Sequence, residues 1–128
     1  MKKLLILLFS ILISINSYGE WTEVSRSLDG VDTYYIEHDT IKEHGGYVYY
    51  WMMIDSLEPW EGSGYLSDQT YNQGDCGIYR NKILSYIFYK RSMGKGTGKS
   101  DNTPSEWRYP SSGTVGKGIL DYVCDYVK

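Results

Sequence analysis

Cys76 and Cys124 are the only cysteines in the chain. Three uses compete for them: a structural disulfide, a metal site and a nucleophilic thiol. A metal site needs further ligands at short spacing, and the two histidines, His38 and His44, lie far away in sequence. Two cysteines in an exported chain most often pair, and the export argument below makes a disulfide the expected use. It would close a loop of 49 residues, for which the chain-entropy model gives about 4 kcal/mol.

Other constellations are weaker. Gly94-Lys95-Gly96-Thr97-Gly98-Lys99-Ser100 resembles a phosphate-binding loop, but only three residues separate Gly94 from the Gly-Lys-Ser. The motif needs four, and Asp101-Asn102-Thr103-Pro104 follows where a helix should begin, so the segment reads as a basic loop between strands. Glu37, His38, Asp39 and His44 offer four metal-type ligands in eight residues. Successive strand residues point to opposite faces, and both histidines flank a turn, so they are expected in solvent. The serines form no Gly-x-Ser-x-Gly elbow, and no carboxylate pair stands out for sugar hydrolysis. The Tyr/Arg/Lys stretch from Tyr79 to Arg91 could stack on bases, but an exported location argues against a nucleic-acid partner. The chain reads as non-catalytic, with neither cofactor nor metal.

The compartment comes from the first nineteen residues. Lys2 and Lys3 precede an apolar run to Ile15, and Ser17-Tyr18-Gly19 supplies the small residues of a cleavage site. That is a secretory signal, shorter than the roughly 20 apolar residues of a membrane span. Residues 1–19 are thus a signal peptide, and Glu20 to Lys128 form one domain of 109 residues with a net charge of −5. No transmembrane segment remains after cleavage. No cysteine ends the signal, so the protein is expected not to be a lipoprotein.

Thirteen tyrosines, four tryptophans and one phenylalanine fall in residues 20–128, and such residues favour pleated, half-buried surfaces. Strands are expected at Trp21 to Ser25 and Val31 to Glu37, joined by a turn at Leu28-Asp29-Gly30. Asp39 to Lys42 reads as a helical turn or bulge. The strongest strand runs from Tyr47 to Asp55, with Tyr47, Tyr49, Trp51 and Met53 on one face and Val48, Tyr50, Met52 and Ile54 on the other. Neither face is polar, so it should be covered on both sides. Residues 57–75 read as a long connection with a short strand at Tyr65-Leu66-Ser67. Cys76 to Arg91 reads as one extended stretch, bulged near Asn81-Lys82. A loop from Gly94 to Pro104 and a last strand at Glu106 to Tyr109 follow. Val115, Ile119, Val123 and Val127 then repeat every four, with Leu120 and Cys124 beside them, marking an amphipathic helix. Ser112 or Thr114 would cap it.

Charge is segregated along the chain. Residues 20–76 hold two basic and twelve acidic residues, whereas residues 77–117 hold eight basic and two acidic. If strands from the two halves alternate in the sheet, opposite charges meet across it, and that arrangement is the expectation. Otherwise Arg80, Lys82, Lys90, Arg91, Lys95 and Lys99 form a basic face for a protein or an anionic polymer.

The order of features resembles the surface-adhesin protein E family. Tyr35-Ile36-Glu37 and Thr40-Ile41 open it, followed by Gly46 and the Trp51 strand, then Ser67, Asp75-Cys76 and Arg80. Gly94, Gly96, Trp107 and the closing Leu120 to Cys124 complete it, across residues 21–124. The resemblance implies an α+β fold: an antiparallel sheet of about five or six strands packed against a C-terminal helix, with the two cysteines joined. It implies an exported Gram-negative protein, in the periplasm or on the outer surface. It also implies, for some members, adhesion to host extracellular-matrix proteins such as vitronectin and laminin. Adhesins of this family can be lipoproteins, and here the chain departs from the pattern. The rival expectation is a periplasmic ligand-binding or inhibitor-like domain with an apolar pocket between sheet and helix. Oligomeric state is left open.

Overall fold

A computed structural model describes residues 20–128; the signal peptide expected at 1–19 lies outside the described residues. Strands β1 (Trp21–Arg26), β2 (Asp32–Glu37), β3 (Lys42–His44), β4 (Tyr47–Ser56), β5 (Ser67–Asp75), β6 (Arg80–Tyr89) and β7 (Lys99–Asp101) precede one helix, α1 (Val115–Tyr126). All strand pairs are antiparallel, in the order β1-β2-β4-β5-β6-β7, with β3 beside the start of β4. This is the expected α+β architecture with seven strands, and Cys76 is bonded to Cys124. Among the described residues no helix is long and apolar enough to cross a membrane.

α1 forms where its period demanded. Thr114 caps it by accepting the Lys117 N–H, and Ile119, Leu120, Val123 and Cys124 turn inward onto Ile36, Ile41, Val48 and Tyr50. Gly74 of β5 lets the helix approach: a Cβ there would stand 2.9 Å from Val48 Cγ1 and 3.0 Å from Leu120 Cδ1. Both neighbours are buried, so Gly74→Ala overpacks the core. It is expected to lower the unfolding free energy by about 1–3 kcal/mol. Chemical denaturation should show an earlier midpoint at an unchanged slope.

Several expectations are corrected. Residues 67–75 are not a connection but the strand between β4 and β6. Several of its polar side chains find local partners: Asn72 Nδ2 donates to Thr70 Oγ1 at 2.9 Å, and Ser67 Oγ donates to the Arg91 carbonyl at 2.7 Å. The stretch from Cys76 to Arg91 is broken by a turn over Asp75–Tyr79. The bulge falls at Leu84, which is skipped between the Tyr71–Ser85 and Asn72–Ile83 pairs. The expected loop at 94–104 contains β7, and the strand expected at 106–109 is a single bridge between Asn81 and Arg108.

β4 is covered by the helix on one face only. On the other, Tyr47, Tyr49 and Trp51 are half-buried, and a 3-10 turn at Ser92–Gly94 covers only Met53. That turn is pinned by Asp55, which accepts the Met93 N–H, and by Ser67 Oγ, which accepts the Gly94 N–H. Gly94 has φ +66° and a Cβ there would collide with Gln69. Its glycine is thus explained by a tight turn rather than a phosphate site.

Candidate binding surface

The turn after β5 is organised by one side chain. Asp75 Oδ1 accepts the N–H groups of Gly77 and Ile78, both at 3.1 Å, and Oδ2 accepts Arg80 Nε at 3.1 Å. The Ile78 N–H first, then Arg80 and Gly77, hold the carboxyl below the usual carboxylate range. The same turn presents Cys76 to the helix and sends Arg80 onto the sheet face that α1 leaves open.

There Arg80 lies 4.0 Å from the centroid of the Trp107 ring and Lys82 Nζ 4.9 Å, both within cation–π range. Trp107 is fixed because the backbones of its neighbour Arg108 and of Asn81 exchange two hydrogen bonds. Tyr47 lies 5.9 Å from Trp107. Further along the face, Tyr71 is 6.1 Å from Tyr49 and 5.2 Å from Trp51. The register puts all of these on one face: Tyr49 is opposite Gln73, which is opposite Lys82, and Trp51 is opposite Tyr71. The result is an aromatic platform with two cations at one end. Such surfaces combine large apolar contact area with charge and suit macromolecular recognition.

The six expected cations do not form one patch. Arg80 and Lys82 join the platform. Lys90, eight residues on from Lys82, lies about 26 Å away along the strand direction at roughly 3.3 Å per residue. Its ammonium lies 4.5 Å above the Tyr65 ring, and Tyr65 stacks on Phe88 on the opposite face. Lys90, Arg91 and Lys95 line one shallow hollow with Leu66 and Ser92, and Lys99 lies exposed on β7. Trp107, Tyr49, Trp51 and Tyr71 were missed as site residues. The alternation Tyr47, Tyr49, Trp51 was visible, but a strand expected to be covered on both faces offers no surface.

The expected mixing of charges does not occur. Sheet order follows chain order, so the basic strands β6 and β7 lie together at one edge. Of the four ion pairs among the described residues, only Asp75–Arg80 joins the acidic half to the basic one. His38 also differs from expectation. It bonds the Tyr122 hydroxyl and meets the Tyr126 ring edge-on, against α1, while His44 stays exposed on β3. Among the described residues no three His, Cys, Asp or Glu side chains converge as metal ligands.

A family model described as surface-adhesin protein E matches residues 21–125. Among solved structures, crystal form II of Haemophilus influenzae protein E superposes with a TM-score of 0.62 at 18% identity, covering 80% of this chain and 88% of that one. A second structure of Haemophilus influenzae protein E gives 0.62 at 14% identity, with 83% and 84% covered. Protein E from non-typeable Haemophilus influenzae gives 0.56 at 14%, with the same coverage. At these identities the structural likeness is one of fold. No curated protein matches the chain in sequence.

Proposed function

The chain belongs to the surface-adhesin protein E family, and from that premise we propose that it is an exported, non-catalytic binding module contacting a host extracellular-matrix protein through the open sheet face. In this reading residues 1–19 are the signal and residues 20–128 the working domain, delivered through the periplasm to the outer surface without a lipid. The observation that carries it is the platform of Trp107, Tyr47, Tyr49 and Tyr71 ending in Arg80 and Lys82. Lys82 on this face pairs with no carboxylate among the described residues, nor do Lys90, Arg91, Lys95 and Lys99 farther along the basic edge of the sheet. Unpaired edge cations steer an acidic partner and aromatic anchors hold it.

Immobilised vitronectin and laminin test this with the purified domain. Binding is expected to weaken as salt rises. Trp107→Ala should weaken it by about 30-fold, the size of a hot-spot loss of roughly 2 kcal/mol, and Lys82→Glu should act chiefly on the association rate. Circular dichroism confirms that each variant is folded. Absence of binding at low ionic strength, or full binding by a folded Trp107→Ala variant, overturns the reading. Protease digestion of whole cells checks the location: cleavage only after outer-membrane permeabilisation removes surface display.

A further inference from the structure

The sheet is longer than the helix covering it. At roughly 1.5 Å per residue α1 spans about 18 Å, whereas the ten residues of β4 run about 33 Å. α1 covers the Val48–Tyr50 end. Beyond its first turn the same face of the sheet opens into a cleft of about 420 Å³, within the size range of small-molecule sites. Met52, Ile54, Ile83 and Tyr34 line it from the sheet, and Pro110 and Val115 from the segment entering the helix.

The carboxylates of this sheet face, Asp32 and Asp68, stand beyond Tyr34 and Ile54 at the far end from Arg108 and do not line the cleft. Arg108 is the one charged residue among those lining the cleft, and no aspartate or glutamate lines it. Arg108 is held by its backbone bonds to Asn81, its side chain is exposed, and it pairs with no carboxylate among the described residues. Val115 and Gly116, at the positive end of the helix dipole, add first-turn N–H groups that have no intrahelical acceptor. An apolar trough with one cation at its rim complements an apolar chain ending in one negative charge.

We propose that this cleft binds a free medium-chain fatty acid, the acyl chain along Met52, Ile54 and Ile83 and the carboxylate at Arg108. The site lies on the face opposite the aromatic platform, so it stands whether or not the platform binds matrix protein.

Calorimetric titration of the purified domain with sodium decanoate below its micelle concentration tests the proposal. Decyltrimethylammonium and 1-decanol serve as the cationic and uncharged counterparts. Saturable one-site binding of decanoate is expected, with the cationic analogue at least tenfold weaker. Arg108→Glu should weaken decanoate at least tenfold and leave decanol unchanged. A Cβ at Gly116 would lie 3.7 Å from Pro110 Cβ, an ordinary contact, so Gly116→Leu adds an apolar side chain at the wall of the cleft that Gly116 shares with Pro110. That variant should lose decanoate binding while its thermal midpoint equals or exceeds the parent's, because leucine favours a helix over glycine. Three results overturn the proposal: no saturable decanoate binding, equal affinity for the cationic analogue, or a folded Gly116→Leu variant that binds like the parent.

Discussion

Replacing Cys76 and Cys124 together by serine should lower the free energy of unfolding by about 4 kcal/mol, the chain-entropy value for a loop of this length. The two are 48 positions apart, so the bond removes a large set of open conformations from the unfolded chain. It acts on the folded side as well. α1 is reached through an irregular segment from 102 to 114, and a helix of 12 residues is marginal alone in water. Its docking rests on Ile119, Leu120 and Val123 and on the bond from Cys124 to the Asp75 turn. A domain of this size is stable by only about 5–15 kcal/mol in total. The double variant should therefore unfold at much lower denaturant and lose helical signal first, and reduction of the parent should reproduce that curve. A change below about 1 kcal/mol would show that the core alone holds the helix.

The elements that could be read in advance are those whose cause is local. α1 follows from apolar residues every three to four positions and a threonine cap. β4 follows from aromatic and β-branched alternation, and both formed where their residues placed them. β5 failed for a physical reason. Ser67-Asp68-Gln69-Thr70-Tyr71-Asn72-Gln73-Gly74-Asp75 carries almost no apolar signal, and it can lie inside the sheet because Ser67, Asn72 and Asp75 find partners in the strand itself and in the turns at its ends. One cue was available: a connection near twenty residues without structure is uncommon inside a small domain. Treating 57–75 as loop also hid the site. Tyr71 is the ring that links Tyr49 to Trp51, and without β5 there is no face to carry them. Trp107 depends on a single bridge, a long-range contact that no local pattern encodes. The six cations were equal in sequence, and only the register separates Arg80 and Lys82 from the rest.

Asp68→Asn should stabilise the protein above pH 7 by up to about 4 kcal/mol and have little effect at pH 4. Asp68 pairs with Ile54 and Phe88 on the helix side of the sheet, beyond the helix. Its Oδ1 and that of Asp32 are buried without a hydrogen-bond partner among the described residues. Burial first, and then the nearby Asp32 charge, push the Asp68 carboxyl up to about 7 against a partial opposing pull from the Ile54 backbone N–H. The unfolded carboxyl titrates near 3.8. Below that pH both states are protonated and no penalty exists. Between the two values the native state holds a proton that the unfolded chain has released, so stability falls as pH rises, by about 1.4 kcal/mol per pH unit. Above about pH 7 the full penalty is present. The carboxamide keeps the shape and removes the charge. Asp32→Asn, which removes only the neighbouring charge, should give a smaller gain in the same pH range. Urea denaturation at pH 4, 6 and 8 reads the difference. A parent whose stability is level across that range, or a variant equally stabilised at pH 4 and pH 8, would mean that Asp68 titrates normally and its burial is relieved by solvent.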